Sequence, residues 1–256
     1  VSYHRNQFIY GNIEQSEAQI PEILNLASVK DFIANYAKDS ISLLEIEEET
    51  KKRQSFVNRT LVYRRNGLIE LYGVVLKGNI IIASETKIKV PASSQLENVI
   101  LIAPIIEIAE GVKGSFQAFA SQQIIVGANC QLAYPTTLVV FDKNDGKENK
   151  QIVISSSATV KGIVAYVSDN KRANYKAQIV LDHNAVVYGE IYCQGNLELK
   201  GTVNGAVYTN SFIANQSGGI YVNHIYNGSI NSEQLTRHYS GLFFNESTKT
   251  VVKWLD

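Results

Sequence analysis

One sequence unit occurs three times between residues 152 and 210, and this repetition constrains the fold more than any other feature of the chain. The copies begin at Ile152, Ile179 and Leu197 with a triplet of the form apolar-x-apolar. Each copy crosses a corner and passes through a glycine into a second strand. These glycines are Gly162, Gly189 and Gly205. A repeated unit of this kind buries its apolar face by stacking on its neighbours, so the repeat predicts stacked coils.

The residues around each glycine indicate which face points inward. An earlier unit around Gly114 follows the same plan and adds a fourth copy. Apolar residues stand two positions before and after each glycine: Val112 and Phe116, Val160 and Val164, Val187 and Ile191, Val203 and Val207. Since alternate residues of a strand point to opposite faces, we expect one inward apolar face with the four glycines in register.

The corners between strands carry residues that tolerate unusual backbone. Five positions after the strand starts at Ile106, Ile124, Ile152 and Ile179 stand Gly111, Asn129, Ser157 and Asn184. Glycine and asparagine accept left-handed backbone, and asparagines in register can hydrogen-bond between coils. The copy that begins at Leu197 departs from this pattern, because it has Thr202 at the corresponding position.

Two all-β architectures compete for the region after residue 61, where apolar residues come in short bursts bounded by turn residues. A sandwich needs many tight hairpins, yet Asn-Gly and Asp-Gly pairs are few, and Asn204-Gly205 falls inside a repeat. Hexapeptide repeats of a left-handed coil are absent, and the spacing between copies is uneven. We therefore predict an all-β chain folded as a single-stranded right-handed parallel β-helix.

The chain divides into three predicted regions. Residues 1–65 form an N-terminal capping region, partly helical and partly irregular; residues 66–238 form the β-helix, and residues 239–256 form a C-terminal cap or final strand. We expect the helix near 21–38, where apolar residues recur at helical spacing behind Pro21. Covering the open end of the coils is the favoured role of this helix, and docking on a partner is the alternative.

Two further stretches are predicted to lie in solvent. Residues 40–54 read as a short strand followed by an exposed loop, because an acidic run precedes a basic one. The polar excursions at 143–150 and 168–176 read as solvated corner loops.

Bulk composition excludes several classes of function. The chain has 24 basic and 24 acidic residues, so it lacks the positive charge of a typical nucleic-acid-binding protein. The longest apolar run, 99–109, is too short to cross a bilayer. Cys130 and Cys193 align with small or apolar residues of other copies and are expected to be buried and free. Because the sequence starts at Val1, we expect a processed chain or a fragment whose signal or anchor is missing.

No catalytic or metal-binding constellation is evident. The four histidines, His4, His183, His224 and His238, lack zinc-site spacing, and no nucleophile elbow, phosphate loop or dinucleotide fingerprint occurs. Catalytic residues, metals and cofactors are therefore not expected. The outward feature that stands out is the pair Tyr192 and Tyr208, each three residues after its glycine and so on successive coils. Exposed tyrosines can pack sugar rings or a protein partner, and the favoured alternative is that they stabilise the ladder as neighbouring aromatics.

Residues 186–225 resemble the coils of the bactofilin family, which are bacterial polymer-forming proteins. The phrase LKGTVNGAV at 199–207 carries this resemblance. It implies a right-handed β-helix and, where the coil ends are exposed, polymerisation by end-to-end stacking. The N-terminal region has no counterpart in that family, and capped ends would block such stacking. The chain also resembles exported β-helical surface proteins of Gram-negative bacteria.

These features together favour a non-enzymatic structural or interaction protein whose rigid β-helix is a scaffold. The expected location is the periplasm or the surface of a Gram-negative bacterium, with the cytoplasm as the alternative. Two other functions stay open: a carbohydrate-binding or carbohydrate-active β-helix, and a bactofilin-like cytoskeletal polymer. Expected partners are accordingly a protein, a second copy of the chain or a polysaccharide. Nucleic acid and a membrane span in this chain are not expected.

Overall fold

The strand bursts of the sequence fold into a nearly all-β structure whose strands pair in parallel from one turn of the chain to the next. The computed structural model describes residues 20–36, 42–43, 50–142, 150–168, 175–216, 218–235 and 239–245. Within these ranges there is one α-helix, α1 Leu26–Asn35. The strands are β1 Ser42–Leu43, β2 Lys51–Gln54, β3 Leu61–Arg65, β4 Ile69–Glu70, β5 Val75–Gly78, β6 Ile80–Ser84, β7 Lys87–Val90, β8 Gln95–Ile108, β9 Lys113–Val126, β10 Gln131–Asp142, β11 Gln151–Ile154, β12 Thr159–Ser168, β13 Ile179–Leu181, β14 Val186–Leu199, β15 Thr202–Gln216, β16 Gly219–Val222 and β17 Ser229–Ile230.

Each turn of the chain adds one rung to three walls that run along the stack. The first wall, called the polar wall, consists of β2, β5, β17 and the first segments of β8, β9, β10, β12, β14 and β15. The second, called the apolar wall, consists of β1, β3, β6 and the next segments of the same long strands. The third wall consists of β4, β7, β11, β13 and the last segments of β8, β9, β14 and β15. The names refer to the side chains that each wall turns outward.

The repeated triplets stack on the third wall as predicted. Ile124 pairs with Ile152, Ile152 with Ile179, and Ile179 with Leu197. All four side chains are fully buried, and they belong to one continuous apolar cluster that extends along the stack from Leu61 to Val203. Burying an aliphatic side chain of this size contributes about 1.5–3 kcal/mol, so the interior column is the main source of stability.

The predicted corner residues also lie where the sequence pattern places them. Gly111, Asn129, Ser157 and Asn184 all have left-handed backbone, with φ angles of 73°, 57°, 59° and 58°. Successive corners are joined by backbone hydrogen bonds, such as the Asn129 N–H to the Ser156 carbonyl oxygen at 3.2 Å. Asn129 Nδ2 also donates to Glu110 Oε1 at 3.0 Å on the neighbouring rung. Asn129 therefore bonds between coils through its side chain, but to a glutamate, because the neighbouring corners carry Gly111 and Ser157 rather than asparagine.

Three of the four predicted glycines form the corner between the polar wall and the apolar wall. Gly162 pairs with Gly189, and Gly189 pairs with Gly205. Their φ angles of 140°, 145° and 156° lie in a region that favours glycine. A Cβ on any of them would overlap a carbonyl oxygen of the preceding rung. This row is called the glycine corner.

Gly114 does not belong to the glycine corner, so the predicted register of the fourth copy is wrong. Leu132 pairs with Gly114 on one side and with Val160 on the other, which leaves Gly114 two residues short of the corner. The cause is the spacing in the sequence, because Gly114 lies eight residues after the strand start at Ile106, whereas Gly162 lies ten after Ile152. The bulge of residues 133–135 in β10 does not offset the two neighbouring rungs, since Gln117 and Ile163 both pair with Thr137 beyond it.

The apolar wall is covered by two segments from opposite ends of the chain, residues 20–36 and 239–245, which together are called the terminal strap. Ile23 and Phe244 form an antiparallel bridge, and the Leu24 N–H donates to the Phe243 carbonyl oxygen at 2.7 Å. The side chains enclosed between wall and strap form a second apolar cluster: Phe119, Val139, Phe141, Ala165, Val167 and Tyr192 are buried, and Ile20, Ile23, Leu26, Ile33, Ile100, Ile102, Ile163, Tyr208, Leu242 and Phe244 are partly buried.

The helix is shorter than predicted and lies in a different place. It begins at Leu26 rather than near Pro21, because Ile23 is held in the bridge and Asn25 has a φ of 59°. Lys38, expected in the last turn, lies outside the described residues. Leu26 and Ile33 pack on the side of the stack, so the prediction that the helix covers the open end is wrong. Leu26 and Ile33 are buried there against apolar side chains that the wall turns outward.

The region boundaries predicted from sequence also need correction. Strands β2 and β3 pair in parallel with β5 and β6, so the ladder begins before residue 66 and residues 51–54 are strand rather than loop. Of the predicted C-terminal cap, residues 239–245 lie on the apolar wall, and 246–256 are outside the described residues. No helix in the described ranges is long and apolar enough to cross a membrane.

The far end of the stack exposes apolar side chains. Strand β17 extends the polar wall by pairing with Thr202 and Val203, and β16 folds back on the end of β15 in antiparallel fashion. The exposed apolar side chains here are Ile220, Tyr221, Val222, Ile225, Tyr226 and Ile230, each between 38% and 55% accessible. They are called the end patch.

Candidate functional site

The polar wall turns regular rows of mostly hydrogen-bonding side chains toward solvent. In the first row the paired residues on successive rungs are Val75, Gln95, Lys113, Gln131 and Thr159. The residues that follow them point inward, and Leu76, Leu96, Leu132 and Val160 are buried in the core. Because rungs lie about 4.8 Å apart, these five rungs span about 19 Å along the stack.

The bulge in β10 converts this wall into a shallow groove. Residues 133–135 leave the ladder between Leu132 and Thr136 and rise beside the rows. Tyr134 projects from the bulge with 47% of its surface accessible, and its ring meets the ring of Tyr239 edge-on at 5.9 Å between centroids. The groove has a volume of about 1140 Å³ and is bounded by both strand rows and the bulge. It joins an open polar floor to an exposed aromatic edge.

The groove carries an excess of positive charge. Its lining includes Lys77, Lys113 and Lys161 and one acidic residue, Glu97. Lys77 Nζ lies 2.6 Å from Glu97 Oε2. The Lys161 ammonium lies 5.6 Å from the centroid of the Tyr188 ring, and Lys113 has no carboxylate partner among the residues that the structure describes. The first rung adds Lys51 and Arg53, which pair with Val75 and Lys77.

The third wall shows how the same fold neutralises its cations. Lys87 Nζ lies 2.7 Å from Glu107 Oε1, and Lys89 Nζ lies 2.8 Å from Glu70 Oε1, in both cases on adjacent rungs. Each of these lysines has a carboxylate beside it, unlike Lys113. Among the described residues, these two lysines of the third wall are neutralised, whereas the groove of the polar wall keeps an excess of positive charge.

Tyr192 and Tyr208 are adjacent on successive rungs as predicted, but Tyr192 is not exposed. The two residues pair in register on β14 and β15. Tyr192 is fully buried under the terminal strap, and its hydroxyl donates to the Pro21 carbonyl oxygen at 3.1 Å. Phe244 packs against both rings, with centroids 6.3 Å from Tyr192 and 4.8 Å from Tyr208. The expectation of an open tyrosine face is wrong here, because covering residues come from the two chain ends.

A buried ion pair that sequence reasoning missed lies at the end of the apolar wall. Lys150 Nζ is 2.7 Å from Asp142 Oδ1, and each side chain is only 1% accessible. The Tyr166 hydroxyl donates to Asp142 Oδ2 at 2.7 Å. This corrects the prediction that the whole stretch 143–150 is solvated, since Lys150 is buried and 143–149 lie outside the described residues. Side chains so enclosed are out of reach of a ligand.

The remaining chemical candidates offer no site. His183 stands on an exposed corner, where its backbone N–H donates to Asp182 Oδ1 at 2.8 Å, and His224 is exposed. His4 and His238 lie outside the described residues, as do residues 169–174 of the second polar loop. Within the described ranges, no group of three His, Cys, Asp or Glu side chains is placed to hold a metal ion.

Both cysteines are buried and free, as predicted. The Thr159 N–H donates to the Cys130 carbonyl oxygen at 2.7 Å. Ala158 takes the place of Cys130 on the next rung, since its carbonyl oxygen accepts from the Val186 N–H at 2.8 Å. Cys193 pairs with Tyr166 and Thr209. Burial raises the pKa of the Cys193 thiol to about 12, so the reactive thiolate is scarce at neutral pH.

Comparison with known proteins gives no further assignment. The chain matches no protein-family model, no curated protein and no solved structure.

Proposed function

We propose that this chain is a non-enzymatic structural or interaction protein, in which a rigid right-handed β-helix presents the polar wall to a partner. The observation that carries the proposal is the different treatment of two walls. Residues 20–36 and 239–245 cover the apolar wall, whereas none of the described residues covers the groove on the polar wall. Concave surfaces with convergent polar groups are where proteins commonly bind ligands.

The right-handed winding is part of the same proposal. Parallel strands joined within one sheet are connected in the right-handed sense in nearly all proteins. The uneven lengths of the turns and the resemblance of residues 186–225 to bactofilin coils support the same hand. An experimental structure at side-chain resolution tests it, and a left-handed winding would contradict it.

We also propose that the protein is exported or held at a bacterial surface. The support is its resemblance to exported β-helical surface proteins. Fractionation of the source cells with an antibody against the chain tests this, and recovery in the cytoplasmic fraction alone would contradict it.

The binding role is tested by hydrogen exchange of the whole chain with a panel of acidic glycans, neutral glycans and peptides. We expect slower exchange in the polar-wall segments 95–97, 113–115, 131–134 and 159–161. The mass of each ligand should stay unchanged, because the protein does not modify it. Slower exchange confined to the other walls would remove the polar wall as the binding surface. Shortening or modification of a ligand would show that the protein is an enzyme.

The end patch favours self-association as a second candidate function. Exposed apolar side chains grouped on a surface mark interaction sites, and those of the end patch lie on or between the last two strands of the stack. Sedimentation velocity of the wild type and of Tyr221→Ser with Ile230→Ser tests the idea. A concentration-dependent assembly that the double variant abolishes supports it, and a wild type that stays monomeric over the whole concentration range contradicts it.

A further inference from the structure

The polar wall differs from the other two walls in how its charges are arranged. Cations on the third wall are paired with glutamates of adjacent rungs, whereas Lys113 of the polar wall lacks such a partner among the described residues. Lys161 is held over an aromatic ring rather than beside a carboxylate. The groove lining therefore keeps a net charge of +2, from three lysines and one glutamate. A ligand for this groove is favoured when it carries negative charge.

The backbone of the wall limits how a ligand can be held. Strands of the groove are paired on both sides, since β9 lies between β8 and β10 and β12 lies between β10 and β14. Their N–H and C=O groups are used between rungs, so a peptide cannot add to the groove floor as a further strand. Contacts must come from side chains, and the floor supplies ammonium, amide and hydroxyl groups at each rung. That supply suits a ligand rich in hydroxyl and carboxylate groups.

Apart from Val75, Tyr134 and Pro135, the large apolar side chains that line the groove are buried. The large apolar side chains of its rungs point inward, where Leu96, Leu132 and Val160 are buried. Protein interfaces take most of their energy from aromatic or aliphatic anchors seated in apolar pockets. What the groove has instead is the exposed ring of Tyr134 at its edge. An exposed aromatic ring beside polar groups provides one flat face against which a sugar ring can pack.

We propose that the polar wall binds an acidic polysaccharide, a glycan with carboxylates on its rings, laid along the axis of the stack. The proposal rests on the proposed function, because it names the ligand class of the same open wall. Lys113 and Lys161 contact carboxylates, Gln95 and Gln131 hydrogen-bond to hydroxyls, and the Tyr134 ring packs on a sugar face. The groove spans about 19 Å, so an extended chain of several rings is held.

The test measures binding of polygalacturonate to the full chain by isothermal titration calorimetry, at two salt concentrations. We expect Lys113→Gln combined with Lys161→Gln to weaken binding about tenfold, since each exposed charge contact contributes modestly. The affinity of the wild type should fall as salt rises, and the double variant should lose part of that dependence. Tyr134→Ala should weaken binding without changing the salt dependence.

A matched control separates the site from the overall charge of the protein. Lys89→Gln removes the same charge from an exposed lysine of the third wall, and we expect its affinity to stay within about twofold of the wild type. Equal loss of binding in Lys89→Gln and in a polar-wall single variant would overturn the proposal. So would neutral dextran or poly-glutamate binding as tightly as polygalacturonate.

The outcomes also distinguish this inference from the proposed function. Protection of the polar wall by a neutral glycan or a peptide alone overturns the acidic polysaccharide and leaves the wall as an interaction surface. Protection of no polar-wall segment by any member of the panel overturns both.

Discussion

The polar wall and the apolar wall are made by the same strands, yet the part of the chain that the structure describes covers only the apolar wall. Strand β9 turns Lys113 outward on the polar wall and Phe119 outward on the apolar wall, and β12 does the same with Lys161 and Val167. The interior does not distinguish the two walls, because both turn aliphatic side chains into one continuous core. The outward residues therefore decide which wall becomes an internal interface of the chain and which remains available to another molecule.

The glycine corner joins the polar wall to the apolar wall, and a substitution there should lower the free energy of unfolding more than any other proposed below. In Gly189→Ala the new Cβ overlaps the Gly162 carbonyl oxygen, and φ at this position is 145°. We expect a loss of about 3 kcal/mol or more in the free energy of unfolding, from strain and overpacking together. Urea denaturation followed by far-UV circular dichroism measures it.

Gly67→Ala is the matched control for that variant. A Cβ at Gly67 meets no atom within 4 Å, so we expect a change below about 1 kcal/mol. Similar losses in both variants would show that the corner is not held by close backbone packing.

Two neighbouring phenylalanines test whether the terminal strap stabilises the apolar wall. Phe244 packs on the rings of Tyr192 and Tyr208, whereas Phe243 is 62% accessible. We expect Phe244→Ala to lower the free energy of unfolding by about 2 kcal/mol and Phe243→Ala by less than about 0.5 kcal/mol. Chemical denaturation of both variants measures the difference. An equal effect would mean that the strap does not stabilise the wall.

The stacked rungs could be predicted from sequence because their signals are local and repeated. The triplets at Ile152, Ile179 and Leu197 repeat the same apolar pattern, so their pairing could be predicted from the sequence. Asn129 and Asn184 indicate corners, because asparagine tolerates left-handed backbone. Gly114 was misplaced because its apolar neighbours match those of the other copies, although it stands eight residues after its strand start and Gly162 stands ten after Ile152.

The covering of Tyr192 had a different cause. It depends on Pro21, 171 residues away in the chain, and no local pattern in β14 announces that contact. One signal was present in the sequence: the run Leu138 to Phe141 is apolar at every position, which is typical of a strand buried on both faces. The positive groove was missed because its lysines are far apart in sequence and meet only through the register.

Glu190, beneath the terminal strap on the apolar wall, should make the free energy of unfolding depend on pH. Burial raises the pKa of the Glu190 carboxyl, and the Leu242 N–H, which donates to Oε2 at 2.5 Å, opposes this only in part. The folded chain thus binds the proton more tightly than the unfolded chain. The stability that this proton binding contributes is fully present below the pKa of the Glu190 carboxyl in the unfolded chain. It is lost as the pH rises through the pKa of the same carboxyl in the folded chain.

Glu190→Gln keeps an oxygen for Leu242 and cannot ionise, so we expect it to be at least as stable as the wild type at neutral pH. The gain should be below about 1 kcal/mol, because the carboxyl stays partly solvated. It should disappear as the pH is lowered to the carboxyl range. Denaturation curves over that range measure it, with Glu97→Gln on the polar wall as the control for net charge. A gain that is constant with pH would contradict the assignment to Glu190.

The smallest effects are expected on the polar wall, and their smallness is informative. Lys113→Gln and Gln131→Ala change exposed side chains that belong to no internal cluster, so each should shift the free energy of unfolding by less than about 0.5 kcal/mol. Thermal and urea denaturation of both variants measure this. A small effect would show that these rows are not needed for folding, so that a loss of ligand binding in the same variants can be assigned to the lost contacts. A loss near that of Phe244→Ala would instead make the polar wall part of the internal structure and leave the groove without a separate role.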